Sequence, residues 1–126
     1  MQKTHVLVVS DEAVRRNFIE GHLKMMNLEP VSYPNFLSAK KALTLDQFGM
    51  VVIDFQMPLE QKLALLEEAC KRQADATIMT VEKVEYLKTT GILTTHPEII
   101  SLDSIAAFQE GLRHVREQPG GIADSE

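Results

Sequence analysis

The stretch Val51-Val52-Ile53-Asp54-Phe55-Gln56-Met57-Pro58 decides how this chain folds. Three β-branched apolar residues run into a carboxylate, and a proline stops the segment. An unbroken apolar run of this kind predicts a strand buried on both faces, as in a parallel sheet. Asp54 then stands at the carboxyl end of that strand, where open α/β sheets gather their binding and reactive groups. An aspartate so placed can be a metal ligand, a nucleophile or a phosphate acceptor, or it can simply accept a nearby backbone N–H.

Working outward, Val6-Leu7-Val8-Val9 is a second buried run, ending at Ser10-Asp11-Glu12. Those three polar residues read as a helix start, with a capping oxygen and acids in the first turn. Residues 12–26 carry Val14, Phe18, Met25 and Met26, with Ile19 and Leu23 widening the stripe, and Asn27 ends the helix. Val31-Ser32-Tyr33 is a strand, and Asn35 caps a helix over residues 36–43. After the strand at 50–54 comes a helix over 59–73, with Leu63, Leu66 and Ala69-Cys70 inward. Thr77 to Val81 is the fourth strand, and 82–89 is a short helix with Val84 and Leu87 inward. Gly91 to Pro97 mixes strand and turn features and carries no assignment. Residues 98–101 form the fifth strand, and Asp103 or Ser104 caps a last helix carrying Ile105, Phe108, Leu112 and Val115. Alternation at this spacing predicts an α/β fold with helices on both faces of a five-stranded parallel sheet. Right-handed crossovers favour the flavodoxin-like order 2-1-3-4-5.

Bulk properties narrow the function. At 126 residues the chain reads as one domain, residues 1–118, with 119–126 a flexible tail or the start of a linker. A composition of 44% apolar and 25% charged residues is that of a soluble globular protein. The formal net charge of −5 argues against a nucleic-acid surface, and Arg15-Arg16, Lys40-Lys41 and Lys71-Arg72 are too short to reverse that. Cys70 is the only cysteine, so no internal disulfide forms, which fits a reducing cytoplasm. No signal-peptide pattern opens the chain and no stretch is long enough to span a membrane. His5, His22, His96 and His114 show no ligand spacing with each other or with Cys70. Met25, Met26, Met50, Met57 and Met79 read as core fillers. Ser10 lacks a glycine-flanked elbow, and its loop has no glycine to cradle a phosphate, which argues against a serine hydrolase or a nucleotide binder.

In the 2-1-3-4-5 order the first and third strands are neighbours, so Asp11 and Asp54 face one pocket. Two carboxylates there need either a hard cation such as Mg²⁺ or a raised pKa. The backbone carbonyl of Gln56 could add a third oxygen. An aspartate beside Mg²⁺ is a sensible phosphate acceptor, because the cation offsets charge on the transferring group.

At these residues the chain resembles the receiver domains of bacterial two-component response regulators, the chemotaxis receivers among them. Val6-Leu7-Val8-Val9-Ser10-Asp11-Glu12 is similar to the family's first strand, which ends in two acids. The run from Val51 to Pro58 matches the phosphoacceptor strand, and Leu63-Ala64-Leu65-Leu66 the third helix. The resemblance covers residues 4–117. It implies a receiver of a two-component phosphorelay, taking phosphoryl from a histidine kinase or phosphotransfer protein onto Asp54. Asp11, Asp54 and the Gln56 carbonyl would hold Mg²⁺. Signalling would run through the face of the fourth helix, fifth strand and last helix, toward a downstream protein or fused output domain, or a homodimer. The chain would not be an enzyme beyond Mg²⁺-dependent self-phosphorylation.

The departures are chemical. Ser10 replaces the first acid of the family's pair, and Lys62 replaces a small residue. The switch hydroxyl falls on Val81, or on Thr80 if the strand slips by one. The family's lysine after the fifth strand aligns with Ser101-Leu102, and no lysine follows Lys88. Such a lysine supplies a charge-assisted contact worth roughly 1.5–3 kcal/mol. The alternative reading is therefore an atypical pseudo-receiver: a protein-interaction or dimerisation module in which Asp54 is a remnant.

Overall fold

The computed structural model describes residues 4–54, 59–73, 75–102 and 104–117. Its strands are β1 (His5–Ser10), β2 (Glu29–Tyr33), β3 (Met50–Asp54), β4 (Thr77–Val81) and β5 (Ile100–Leu102). The helices are α1 (Ala13–Met25), α2 (Phe36–Leu45), α3 (Leu59–Arg72), α4 (Val84–Lys88), α5 (Ile92–Thr95) and α6 (Phe108–Glu117). All pairings are parallel and the order is β2-β1-β3-β4-β5, as the sequence predicts. β3 lies at the centre and every residue of it is buried. Pro30 lies in β2, an edge strand, where a missing N–H leaves no ladder bond unmade on the open side.

Side chains alternate across the sheet, so each face has its own core. Leu7, Val9, Val51, Ile53 and Ile78 point to the side packed by α2 and α3 through Leu43, Leu65 and Leu66. Val6, Val8, Met50, Val52 and Met79 point to the side packed by α1 and α6 through Ile19, Leu23, Phe108 and Leu112. Gln73, just past α3, fastens the α2–β3 connection. Its amide donates to the carbonyls of Leu43 (3.1 Å) and Asp46 (2.8 Å), and its oxygen accepts from the Phe48 N–H (3.0 Å).

Several local expectations change. α1 does not bury the stripe through Val14 and Met25, which are 75% and 78% exposed. It buries Ile19 and Leu23 instead, so Met25 is no core filler, while Met50 and Met79 are. Glu12 sits at the N-cap of α1 without a side-chain capping bond. The other end behaves as expected. Asn27 takes φ 61°, and the Asn27 and Leu28 amides bond back to the Lys24 and Leu23 carbonyls, closing the helix in a Schellman arrangement. Asn35 caps α2, its side chain accepting from the Ser38 N–H at 2.9 Å. The unassigned segment 91–97 contains α5, and Gly91 at φ 78° turns the chain between α4 and α5. β5 lies a little later than expected, and a 3-10 turn at Ile105–Ala107 precedes α6. The expected Asp103 cap, Met57 and the tail at 119–126 lie outside the described residues.

Phe108 is the largest fully buried side chain on the α1/α6 side. Phe108→Ala is expected to cost about 3–5 kcal/mol, read as a fall in the urea midpoint with the far-ultraviolet spectrum retained.

Candidate functional site

Register places the site. Ser10 pairs with Asp54 across β1 and β3. These residues continue the rows Val6-Val8 and Met50-Val52, so both lie on the α1/α6 side, past the last apolar layer. Asp54 is 1% exposed, and a carboxylate that deep needs a charged or hydrogen-bonding partner.

The partner is Arg15. Its Nε donates to Asp54 Oδ2 at 2.8 Å and its Nη2 to Oδ1 at 2.7 Å, a bidentate fork. Ser10 Oγ donates to the same Oδ2 at 3.4 Å. Arg16 adds a bond from Nη1 to the Ser10 carbonyl at 2.9 Å, tying α1 to the end of β1. The hydrogen bond that Arg15 donates to Asp54 raises the Arg15 pKa above its ordinary value, against a lowering by burial. The charge of Asp54, and behind it those of Glu12 and Asp11, raise it too.

Arg15 is legible once the true stripe of α1 is known. Arg15, Ile19 and Leu23 are four residues apart, on one helical face. The stripe that buries Ile19 and Leu23 against β1 and β3 thus delivers a guanidinium to the strand ends. Reading the stripe from Val14 and Phe18 hid this, because it turned Arg15 toward solvent.

The other expected site residues divide. The expectation paired Asp11 with Asp54 at the strand ends; the bond seen from the end of β1 is that of Ser10. Asp11 is exposed and contributes to the field at Arg15. Gln56 lies outside the described residues. Register puts Val81 on the Asp54 side of the sheet, in the row of Met79, and Thr80 on the other. Thr80 is fully buried, and its hydroxyl donates to the Ile53 carbonyl at 3.0 Å. Ser101 likewise spends its hydroxyl on the Glu82 carbonyl at 2.8 Å. The strand ends beside Asp54 therefore present Val81 where a hydroxyl was sought. Lys62 is 2% exposed; its Nζ donates to the Glu82 carboxylate at 3.0 Å and the Val81 carbonyl at 3.4 Å. A small residue could not make this tie between α3 and the end of β4.

No protein-family model matches the sequence, and no curated protein matches it. Solved structures do match in fold. The response regulator TrrA from Thermotoga maritima, solved with Mg²⁺ and BeF, superposes with a TM-score of 0.74 at 22% identity, over 90% of this chain and 97% of that one. The chemotaxis response regulator CheY4 of Vibrio cholerae gives 0.71 at 14% identity, over 90% and 98%. The receiver domain of a sensor histidine kinase from Pseudomonas aeruginosa, with magnesium in its active-site cleft, gives 0.68 at 14% identity, over 90% and 97%. The chain has the fold of response-regulator receiver domains. Among its described residues, no helix is long and apolar enough to cross a membrane.

Among the described residues, removing the guanidinium leaves Asp54 with the long Ser10 bond as its side-chain contact. Arg15→Ala is expected to lower stability by about 1–3 kcal/mol, a partly exposed cation leaving a buried acceptor underpaired. Arg15→Lys is expected to recover only part of that, since an ammonium cannot reproduce the fork. Equilibrium urea unfolding of the three proteins measures both.

Proposed function

We propose that this protein is a receiver-fold signalling module that acts through protein contact, without phosphorylation of Asp54. The observation that carries the reading is that one guanidinium takes both oxygens of Asp54. A phosphoacceptor aspartate needs a free oxygen to attack phosphorus and a cation to offset charge on the transferring group. The fork ties up the first and neutralises the carboxylate from the protein's own chain.

The donor set argues the same way about a metal. Mg²⁺ would draw on Asp54, Asp11 and the Gln56 carbonyl. It would need an Asp54 oxygen that already accepts from Arg15, so the ion and the guanidinium compete. Ser10 in place of an acid lowers the negative charge that would attract the ion. Arg15 and Mg²⁺ are thus alternatives at Asp54, and the residues present fit the guanidinium better. No lysine follows Lys88, so the cation that would pair with a bound phosphoryl group is missing as well.

In this reading the module meets a downstream protein, or an output domain joined to it, through α4, α5, β5 and α6. Tyr86 on α4 offers that face a half-exposed aromatic ring.

A second reading has one observation in its favour. The Arg15 side chain is 24% exposed and reaches Asp54 from the first turn of α1. A swing of that side chain would free the carboxylate for a histidine kinase or phosphotransfer protein, making Arg15 a gate.

Incubation with Mg²⁺ and acetyl phosphate, followed by intact-mass measurement, separates the two. The expected result is an unchanged mass. A stoichiometric phosphoryl adduct that disappears in Asp54→Asn would overturn the proposal in favour of the gated phosphoacceptor.

A further inference from the structure

A second cluster of reactive side chains lies away from Asp54. Cys70 sits near the end of α3, His96 directly follows α5, and Glu98 precedes β5. Sequence spacing separates the cysteine from the other two; the fold brings all three together. One ligand atom from each (thiol sulfur, imidazole nitrogen, carboxylate oxygen) lies within 4.8 Å of the others. His96 Nδ1 is 3.5 Å from Glu98 Oε2. Tetrahedral zinc bonds of about 2.0–2.3 Å place ligand atoms roughly 3.3–3.6 Å apart. The His96–Glu98 separation already meets that spacing, and the Cys70 sulfur lies within 4.8 Å of both.

We infer that Cys70, His96 and Glu98 form a three-ligand site for a divalent cation of the Zn²⁺ class, with water in the fourth position. Sulfur and imidazole select a borderline cation over Mg²⁺ or Ca²⁺, and the carboxylate completes a set typical of zinc. Cys70 and His96 are half-buried while Glu98 is exposed, so the site is walled on one side and open to entry on the other. Glu67 adds negative charge near the sulfur. Without metal, burial and the neighbouring Glu98 carboxylate push the Cys70 thiol pKa up to about 12. On binding, the S–H bond breaks, the proton leaves to solvent and the thiolate lone pair makes the metal–sulfur bond. No redox partner is required. The ion would staple α3 to the segment entering β5. This inference stands independently of how Asp54 is used.

Titration of the full-length, reduced protein with Co²⁺ tests it. One equivalent should produce a thiolate-to-cobalt charge-transfer band together with the visible bands of a tetrahedral ion, and Zn²⁺ should abolish both. Cys70→Ser should lose the charge-transfer band. His96→Ala and Glu98→Gln should each weaken the apparent affinity roughly tenfold or more, a ligand mattering at least as much as its supporting partners. Far-ultraviolet spectra establish that these variants fold. Absence of the band in the native protein would overturn the inference. So would affinities unchanged in both His96→Ala and Glu98→Gln, which would mark an adventitious ion on the thiol alone.

Discussion

The structure depends on how a carboxylate at the centre of the sheet is balanced. β3 is buried on both faces, and Asp54 ends it with only 1% of its surface exposed. An isolated charge in that position costs several kcal/mol, so it must find a counter-charge or lose its ionisation. Arg15 supplies the counter-charge from α1, and Ser10 a weaker bond from β1. The same stripe of α1 that seals one face of the sheet with Ile19 and Leu23 carries the guanidinium. Packing and charge balance are therefore one constraint here. A pair of this kind adds little net stability over an apolar replacement, but it fixes where α1 meets the strand ends.

That arrangement bears on function because a guanidinium and a divalent cation answer the same electrostatic need. A metal keeps exchangeable positions for water or phosphate, whereas a forked arginine engages both carboxylate oxygens and brings no exchangeable position of its own. The other substitutions run in the same direction. Ser10 removes a charge, Val81 offers no hydroxyl, and Thr80 and Ser101 bond to the backbone. Lys62 is committed to Glu82 and the end of β4. Among the described residues, Asp54, Thr80, Ser101 and Lys62 are each held by partners within the protein.

The architecture was legible because its signals are strong and redundant. The β-branched runs of β1 and β3, the alternation of strands with helices, and the caps at Asn27 and Asn35 all agree. Strand order alone made the ends of β1 and β3 neighbours, but the expected pairing was of Asp11 with Asp54, and register sets Ser10 there instead. Arg15 was hidden because α1 has apolar residues on more than one face, and Val14, Phe18 and Met25 drew the stripe away from Ile19 and Leu23. Periodicity cannot choose between two such faces without the sheet beneath them. The Cys70–His96–Glu98 cluster was invisible for another reason: it joins a helix end to a loop whose path depends on Gly91 and α5, which carry no periodic signal. The sequence spacing of ligands said nothing about their spacing in space.

The central claim is that Arg15 and Asp54 act as one unit. A double-mutant cycle with Arg15→Ala, Asp54→Ala and the double variant, followed by urea unfolding, measures their coupling most directly. The account predicts a favourable coupling of about 1.5–3 kcal/mol, the range of a charge-assisted hydrogen-bonded contact. Additivity within about 0.5 kcal/mol would contradict it, because the two residues would then be independent.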